Sequence, residues 1–281
     1  MGNDQGKKAA ETLVIPFSKY VGTGNDFILI DNREKIFPAH NRLTIQRLCH
    51  RQCGIGADGI ILLEKGKAAD FAMRTLNADG SEAEMCGNGI RCLTRFLEGL
   101  GIRKPLYHIE SGGKLISTRP KEEAISVDMG APSDVQWNIS IPLKTNSYVG
   151  HFLNTGVPHI VIFVEAVQAL NINALGREIR SHSLFQPKGT NVNFASITGV
   201  NEITIRTYER GVERETLACG TGATATALAA ATTKGLASPI RMKLRSGESL
   251  EIAFSSKGDT FEEVTMTGPA TLVYEGSFIV D

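Results

Sequence analysis

The chain has 281 residues, no formal net charge, 42% hydrophobic residues and 21% charged residues. These values are ordinary for a globular protein and allow one large domain or two modest ones. A neutral chain lacks the basic surface that binds nucleic acid or acidic membranes, and no apolar run approaches the roughly 20 residues of a transmembrane helix, so neither partner is expected.

The N-terminal residues and the cysteines indicate the compartment. Residues 1–12 are polar and carry acids and bases together. They lack the apolar stretch of a signal peptide and the Arg-rich, acid-poor composition of a transit peptide, so we predict a disordered extension on a cytoplasmic protein. The five cysteines are an odd number in a chain of this size, which argues against a disulfide framework.

Apolar runs that alternate with Gly-containing turns predict a chain rich in strands and poor in helices. The predicted strands are, in chain order, Leu13–Phe17, Phe27–Asp31, Ile60–Leu63, Phe71–Thr75, Leu115–Thr118, Ala124–Met129, Tyr148–Asn154, His159–Phe163, Val192–Ile197, Glu202–Tyr208, Ile240–Lys243, Leu250–Phe254, Glu263–Met266 and Ala270–Tyr274. The predicted helices are Arg42–Cys49, which follows the candidate cap Asn41, then Asn88–Leu100, Ala174–Ser181 and Gly222–Lys234.

The two longest predicted helices begin with the same phrase. Cys86-Gly-Asn-Gly opens the first and Cys219-Gly-Thr-Gly opens the second, close to half the chain length further on. Each phrase follows a strand and a polar turn, which contains Asp79-Gly80 or Arg210-Gly211. This repetition predicts two facing copies of one strand-rich unit with a central helix, divided at Gly130-Ala131-Pro132.

A cysteine followed by glycines at the start of a helix has specific chemistry. The first N–H groups of a helix lack internal partners and lie at the positive end of its dipole, so they bind anions and lower the pKa of a thiol placed there. Two such starts directed at one point would hold a carboxylate between Cys86 and Cys219. One thiolate would remove a proton from the attached carbon while the other thiol protonates its opposite face. The alternative is two tight turns with buried thiols.

Other patterns in the sequence do not indicate further sites. Gly54-Ile-Gly-Ala-Asp-Gly59 matches a dinucleotide-binding pattern but runs into a predicted strand rather than a helix. Cys49, His50 and Cys53 lack the spacing of a zinc site, and no second paired set follows, so no metal is expected. Cys49 and Cys92 are predicted to pack in the core.

A series of short motifs links the two phrases to the rest of the chain. The motifs are Gly22-Thr-Gly-Asn-Asp-Phe27, Asn77-Ala-Asp-Gly-Ser-Glu82, Cys86-Gly-Asn-Gly-Ile-Arg-Cys92, Pro158-His159, Thr190-Asn-Val192, Tyr208-Glu-Arg-Gly211, Ala218-Cys-Gly-Thr-Gly222 and Met266-Thr-Gly-Pro-Ala270. In this order and spacing they are highly specific, and the chain resembles the diaminopimelate epimerase family from about Leu13 to Asp281.

The resemblance implies an α/β (α+β) fold of two pseudo-symmetric domains, each a curved, mostly antiparallel sheet wrapped around a central helix. The implied domains are residues 13–130 with 268–281, and residues 131–267, so that the last strand returns to the first domain. The implied reaction interconverts LL- and meso-diaminopimelate, for lysine and cell-wall synthesis, without pyridoxal phosphate, a metal or another cofactor. The expected partner is a small amino-acid substrate, and a homodimer is compatible with the sequence.

The resemblance also assigns site residues. Cys86 and Cys219 match the two catalytic cysteines, and His159 and Glu209 match residues that tune those thiols. The implied substrate contacts are Asn25, Asn77, Gly87, Asn88, Asn191, Arg210, Gly220 and Thr221. The residue types agree, since Glu209 offers a carboxylate to an ammonium group and Arg210 offers a guanidinium to a carboxylate. Alone, however, Glu209 and Arg210 also fit an exposed ion pair, His159 a structural core histidine, and Asn25, Asn77 and Asn191 turns.

Two positions depart from the family pattern on the side that contacts substrate. Val157 stands where the family usually has Asn, and Gly59 stands where it often has Gln. Because Val cannot hydrogen-bond and Gly has no side chain, we predict a wider and less selective region, in which a shorter acidic amino acid such as glutamate is a second substrate. The alternative is that neighbouring residues compensate and specificity is unchanged.

Three other functions stay open at this point. A related cofactor-independent racemase, for example of proline, would leave Arg210 and Asn191 idle, because proline has no second carboxylate. A non-catalytic protein that holds an amino acid between two domains would bind it without exchanging its α-proton. A metal-dependent hydrolase lacks a ligand set.

Overall fold

The computed structural model describes residues 13–83, 86–144, 146–257 and 260–280, so the extension predicted for residues 1–12 lies outside the described residues. Within them the chain forms eighteen strands and four α-helices. The strands are β1 (Leu13–Gly22), β2 (Asn25–Asp31), β3 (Gly59–Lys65), β4 (Phe71–Asn77), β5 (Glu82–Ala83), β6 (Tyr107–Ser111), β7 (Lys114–Pro120), β8 (Ala124–Asp128), β9 (Ser133–Pro142), β10 (Ser147–Asn154), β11 (Pro158–Phe163), β12 (Asn191–Gly199), β13 (Glu202–Glu209), β14 (Arg214–Thr216), β15 (Ile240–Lys243), β16 (Ser249–Lys257), β17 (Thr260–Pro269) and β18 (Thr271–Val280). The helices are α1 (Arg42–Cys49), α2 (Gly87–Gly99), α3 (Ile172–Arg180) and α4 (Gly220–Lys234).

Every predicted element is present, and most strands are longer than predicted. The side chain of Asn41 caps α1 as expected, accepting a bond from the N–H of Thr44 at 3.2 Å. The sequence did not predict β5, β6, β9 and β14. Strands β5 and β14 have only two and three residues, and β9 exposes most of its side chains, so these strands carry no buried apolar run. Pairing with neighbouring strands places them.

The two halves of the chain repeat one pattern of strand pairing. In the first half the order is β18–β1–β2–β3–β4–β6–β7–β8. In the second half the order is β9–β10–β11–β12–β13–β15–β16–β17. The parallel pairs fall at the same places, β2–β3 and β4–β6 in one half and β11–β12 and β13–β15 in the other. Each half is therefore a mixed, mostly antiparallel sheet, and the halves are pseudo-symmetric as predicted.

The halves meet where β8 pairs antiparallel with β17, with Val127 opposite Met266. After β17 the chain crosses back, and β18 pairs with β1 along its length. The last strand therefore lies in the first half, as the resemblance implied. We propose the domain boundaries given above, residues 13–130 with 268–281 and residues 131–267, because this pattern of pairing supports a division between β8 and β17.

One helix lies inside each sheet. Helix α2 contacts β1, β2, β3, β4, β7, β8 and β18. Helix α4 contacts β10, β11, β12, β13, β15, β16 and β17, and six of these, all but β15, are equivalent to strands around α2. A flat sheet with strands about 4.8 Å apart would be far wider than a helix about 10 Å across, so each sheet must curve around its helix.

The first eleven residues of helix α4 are all buried, and most have small side chains, among them Ala223, Ala225, Ala227 and Ala229. Alanine is the strongest helix former and lets the surrounding strands approach closely. Among the four helices of the described residues, none is long and apolar enough to cross a membrane.

Candidate active site

Cys86 caps the start of α2 with an extended backbone, at φ −135° and ψ 107°. Its Sγ accepts a bond from the N–H of Gly89 at 3.3 Å, and its thiol donates toward Oδ1 of Asn25 at 3.7 Å. Nδ2 of Asn88 donates to the same oxygen of Asn25 at 3.4 Å. The first helix start therefore groups three of the predicted site residues, Cys86, Asn25 and Asn88.

Cys219 occupies the N-cap position of α4 with nearly the same backbone, at φ −133° and ψ 106°, but its side chain makes no cap hydrogen bond. It is only 9% exposed, and its Sγ lies 3.5 Å from Oγ1 of Thr221. That hydroxyl lies in turn 2.9 Å from Nε2 of His159. The second helix start therefore groups Cys219, Thr221 and His159.

The two helix starts meet at Met266 in β17. A Cβ atom built on Gly220 would lie 2.6 Å from Sδ of Met266 and 3.7 Å from Oδ1 of Asn88. One on Gly87 would lie 3.3 Å from Cε of the same methionine. Because real Cβ atoms do not approach to 2.6 Å, a larger residue at position 220 would require the Met266 side chain to move. The two first turns therefore lie side by side, with their N–H groups in one region.

The pKa values of the thiols contradict one expectation from the sequence. Burial raises the pKa of both Cys86 and Cys219, and the nearby carboxylate of Glu209 raises them further. Backbone N–H groups at the two helix starts act in the opposite direction but do not prevail. The helix starts therefore lower the thiol pKa in the predicted direction, but the net shift of both thiols is upward, because loss of water around a thiolate outweighs the N–H groups here. Both groups are thiols at neutral pH.

Glu209 supplies a proton acceptor beside those thiols. It ends β13, and the hydroxyl of Thr216 donates to its Oε1. Burial raises the pKa of the Glu209 carboxyl, while bonds from Thr216 and Cys219 act in the opposite direction. A carboxylate whose basicity is raised in this way can take a proton from Cys219.

His159 is fully buried in β11 and has a partner on each ring nitrogen. Its Nδ1 lies 3.1 Å from Nδ2 of Asn193, and its Nε2 lies 2.9 Å from Oγ1 of Thr221. Burial and the nearby guanidinium of Arg210 lower the pKa of His159 to about 3. The ring is therefore neutral at physiological pH, and it acts through hydrogen bonds rather than through charge.

Asn25 is held by a network of charged groups that the sequence analysis did not identify. Its Nδ2 donates to Oδ2 of Asp58 at 2.6 Å, which turns its Oδ1 toward Cys86. Arg51 bonds to Oδ1 of Asp58 at 2.6 Å and to both oxygens of Asp26, at 3.0 and 2.8 Å. The sequence feature that could have revealed this network is Asp58, in the Gly54–Gly59 pattern. That pattern does not form a dinucleotide site, and its aspartate instead orients Asn25.

Arg91 is a second residue that sequence reasoning missed. It is fully buried in α2, and its guanidinium donates to the neutral oxygens of Thr23 at 2.9 Å, Asn88 at 3.0 Å, Pro269 at 3.2 Å and Gly87 at 3.3 Å. Burial lowers its pKa. The bond to Asn88 leaves the Nδ2 of that amide directed at Asn25. The sequence feature that could have identified Arg91 is its spacing, since it follows Gly87 and Asn88 by about one helical turn and so lies on the same face of α2.

The remaining predicted polar residues separate into two places. Asn191 lies opposite His159 in the pairing of β11 with β12, donates to the carbonyl of Pro158 at 3.1 Å and accepts from the N–H of Arg210 at 2.9 Å. The Arg210 guanidinium bonds to the carbonyl of Lys188 at 3.0 Å, so it is not held in an ion pair with Glu209 among the described contacts. Asn77 bonds to Oγ of Ser81 at 2.9 Å and remains in its own turn.

The two departures from the family pattern have different surroundings. Val157 is half-buried in the turn between β10 and β11, next to the half-buried Pro158. A Cβ atom on Gly59 would lie 2.6 Å from the backbone oxygen of Leu76. The prediction that Gly59 widens the site is therefore not supported, because the neighbouring strand fills the space that a side chain would need.

The other sequence patterns have structural roles. Cys49 and Cys92 are buried in the core, where burial raises their pKa to about 11 and about 12. Nδ1 of His50 accepts the N–H groups of Gln52 and Cys53, at 3.2 and 3.1 Å. Within the described parts of the chain, no group of three or more His, Cys, Asp or Glu side chains is placed to hold a metal ion.

Comparison with known sequences gives a consistent result over nearly the whole chain. The profile of the family described as diaminopimelate epimerase matches residues 17–135 and 151–273. The diaminopimelate epimerase of Flavobacterium psychrophilum is 44% identical over 259 residues, which cover 92% of this chain and 97% of that protein. The diaminopimelate epimerase of Aquifex aeolicus is 41% identical, with 92% and 96% covered.

Comparison with solved structures shows the fold. A phenazine biosynthesis protein of the PhzF family from Bacillus anthracis superposes with a TM-score of 0.72 at 14% identity, covering 95% of this chain and all of that one. A hydroxyproline epimerase from Agrobacterium vitis, with bound trans-4-hydroxy-L-proline, gives 0.71 at 16% identity, with 95% and 93% covered. At these identities the likeness establishes the shared two-domain architecture.

Proposed function

The chain belongs to the diaminopimelate epimerase family and is an isomerase, and on this premise we propose that it interconverts LL- and meso-diaminopimelate with Cys86 and Cys219 as paired acid and base. One observation carries the proposal: both cysteines occupy the N-cap positions of helices whose first turns meet at Met266. A thiol on each side of one anion-binding region is the arrangement that inversion of a carbon next to a carboxylate requires.

The substrate α-carboxylate binds to the first N–H groups of the two helices, at Gly87, Asn88, Gly220 and Thr221. Negative charge moves onto this carboxylate as the α-proton leaves, so the same donors stabilise the transition state more than the ground state. The buried guanidinium of Arg91, which bonds to the carbonyl of Gly87 in the first turn of α2, adds a positive charge near these N–H groups and strengthens this effect.

Inversion needs two proton transfers on opposite faces of one carbon. One cysteine, as thiolate, takes the α-proton, so that the C–H bond breaks and an S–H bond forms. The other cysteine then gives its thiol proton to the opposite face and is left as the thiolate. Because the two stereoisomers present the α-proton to opposite sides, Cys86 and Cys219 exchange roles when the reaction runs in reverse.

Both cysteines are thiols at rest, so a base must first ionise one of them. Glu209 is suited to this task, because burial raises the pKa of its carboxyl and it lies close enough to Cys219 for each group to shift the pKa of the other. His159 orients the hydroxyl of Thr221 against Cys219. Arg210, Asn191, Asn25 and Asn77 are the proposed contacts for the remaining polar groups of the substrate.

The proposed reaction uses no cofactor and no metal, since the two thiols and the fixed N–H donors supply the acid, the base and the electrostatic stabilisation. We therefore expect the purified protein to keep full activity after dialysis against a chelator. Alkylation of its thiols should inactivate it, and bound substrate should protect it. Activity that is lost with the chelator and restored by added metal would contradict the mechanism.

The test of the proposed function is exchange in heavy water. The protein is incubated with LL-diaminopimelate in deuterium oxide, and the α-proton signal and the stereoisomers are followed together. Formation of the meso isomer with deuterium at the inverted carbon supports the proposal. Binding of diaminopimelate without exchange would identify a non-catalytic binding protein, and exchange of proline alone would identify a different racemase.

We further propose that Val157 relaxes the substrate range. Because Val157 cannot hydrogen-bond, it makes no bond to a polar group of the substrate. An analogue that lacks this group therefore leaves no protein group unpaired at this position and loses less binding free energy. Arg210 and Asn191 remain available for a side-chain carboxylate. Glutamate is therefore the expected second substrate, with slower racemisation.

We also propose that the protein works as a cytoplasmic homodimer, joined through β18. This strand pairs with β1 and leaves its other edge open among the described strands. Three apolar side chains on the two strands are more than half exposed, Val14 at 54%, Val273 at 56% and Ile279 at 59%. A long apolar edge strand favours pairing with another chain, and a second copy would cover it.

A further inference from the structure

The pseudo-symmetry of the two halves allows each residue below one helix start to be compared with its equivalent below the other. In the first half Ile61 in β3 lies opposite Thr75 in β4. In the second half Asn193 in β12 lies opposite Thr207 in β13. The helix glycines confirm the equivalence, since a Cβ atom on Gly89 would meet Ile61 at 2.8 Å and one on Gly222 would meet Asn193 at 2.3 Å.

The two halves fill these positions with opposite chemistry. The first half has an apolar side chain at Ile61, and the hydroxyl of Thr75 is buried without a hydrogen-bond partner. In the second half the hydroxyl of Thr207 donates to Oδ1 of Asn193 at 3.0 Å. A fully buried asparagine lowers stability unless all of its hydrogen bonds are made. Its presence near Cys219, where the equivalent position near Cys86 is the apolar Ile61, therefore indicates a functional role.

The contacts of Asn193 fix its orientation. Its Nδ2 donates to the carbonyl of Ile160 at 3.1 Å, and its Oδ1 accepts from Thr207. A rotated amide would set its oxygen against the Ile160 carbonyl, so the second proton of Nδ2 must point at Nδ1 of His159, 3.1 Å away. That ring nitrogen therefore accepts, and the ring proton resides on Nε2.

The proton on Nε2 sets the direction of the next bonds. Nε2–H donates to Oγ1 of Thr221 at 2.9 Å, and the Thr221 hydroxyl is then free to donate to Sγ of Cys219 at 3.5 Å. With the other tautomer, Nε2 would accept the Thr221 proton and the sulfur would lose its donor. A thiolate on Cys219 is stabilised by the first arrangement and not by the second.

We propose that Asn193 is a positioning residue that holds His159 in its Nε2–H tautomer, so that Thr221 donates to Cys219 when that cysteine is ionised. The inference rests on the proposed two-thiol reaction and adds to it an asymmetry: the thiol of the second half has a fixed hydrogen-bond donor chain, while the equivalent sheet position of the first half is apolar. Thr207 supports Asn193 in the same way that Asn193 supports His159.

The first test reads the tautomer directly. Ring ¹⁵N–¹H correlation spectra of the labelled protein are recorded between pH 5 and 8, and His159 is assigned from the signals that disappear in His159→Gln. We expect a protonated Nε2 and an unprotonated Nδ1 throughout, because the ring is buried and the charged or titratable groups near it, Arg210, Glu209 and Cys219, leave it neutral. A wild-type ring that is protonated at Nδ1 overturns the proposal, whatever the activity of the protein.

The second test compares variants. Asn193→Leu removes the donor at similar size, so His159 should populate both tautomers and kcat should fall roughly ten- to hundredfold while KM changes by less than about twofold. Asn193→Asp places an acceptor against Nδ1 and should move the proton there, with a comparable loss of kcat. The matched control is Thr75→Val, which removes the unpaired hydroxyl at the position equivalent to Thr207 and should leave kcat and KM unchanged.

The outcomes separate the inference from the proposed function. A role in folding alone would lower the melting temperature of Asn193→Leu and leave its His159 tautomer and kcat as in wild type, which overturns the proposal. Should Asn193→Leu not fold, the wild-type spectrum and Asn193→Asp decide the question. A wild-type protein that exchanges no α-proton refutes the two-thiol reaction, while the ring spectra still decide whether Asn193 sets the tautomer.

Discussion

Replacement of Cys219 by alanine tests the proposed reaction most directly. The change removes one sulfur from a site that is 9% exposed and leaves the backbone of α4 free to form as before. With Cys86 alone, a proton can be removed and returned on one face of the carbon but not delivered to the other. Inversion should therefore fail in both directions, while slow exchange into only one of the two stereoisomers persists.

The size of the effect follows from what the thiol does. A positioned acid or base contributes about 10²- to 10⁴-fold to the rate, so the inversion rate should fall by at least this factor. The structural cost is small by comparison. Loss of one buried sulfur and its contact with Thr221 should lower the free energy of unfolding by about 1–2 kcal/mol, a decrease of roughly 2–8 °C in melting temperature.

Cys92 provides the matched control. It is fully buried in α2, six residues after Cys86, and packs in the core rather than at the helix start. Cys92→Ala should cost a similar 1–2 kcal/mol, to within about 1 kcal/mol, and keep near-normal inversion. The assay follows deuterium at the α-carbon and the ratio of LL and meso isomers, with thermal unfolding recorded on the same samples.

Two results would refute the reasoning. Near-normal inversion by Cys219→Ala would show that this thiol is not the second acid/base group. An equal loss of inversion in Cys92→Ala, at an equal loss of stability, would show that damage to the fold rather than missing chemistry explains the Cys219 result.

Three further predictions follow from other parts of the molecule. Burial lowers the pKa of His159 from its ordinary 6.5 to about 3, so between these pH values the imidazole is protonated in the unfolded chain and neutral in the folded one. This group's contribution to the free energy of unfolding is therefore full above pH 6.5 and falls as the pH drops toward 3. The wild type should therefore lose up to about 1.4 kcal/mol per pH unit more than His159→Gln in denaturant titrations from pH 6.5 to 4, and parallel curves would contradict this assignment. Val157→Asn should reduce glutamate racemisation by roughly five- to hundredfold relative to diaminopimelate in competition assays, and the absence of any second substrate in the wild type would refute the relaxed range. Ile279→Lys should sediment as a monomer, whereas Val200→Lys, at a site 98% exposed and away from β18, should keep the wild-type mass; a wild type that is itself monomeric excludes the dimer.

The sequence alone determined the local features of the site. A cysteine followed by glycines predicts a helix start, because only residues without a bulky Cβ allow the exposed N–H groups to face a ligand. The repetition of this phrase predicted two units, and the repeated strand pairing around α2 and α4 confirms them. Strands with buried apolar runs were also predictable, whereas β9 and β14 were not, since their pairing partners rather than their own residues place them.

The tertiary structure alone decided how these pieces act together. The sequence shows that each helix start favours a thiolate, but the extent of burial, which reverses the pKa shift of both thiols, depends on every strand packed around them. The approach of Gly220 to Met266, the bonds from Arg91 to Thr23 and Pro269, and the bond from Asn193 to His159 join residues far apart in the chain. Helix caps and turns are set by neighbours in sequence, so they can be predicted from it; contacts across a curved sheet are set by register and packing, and these exist only once the two halves have folded and met.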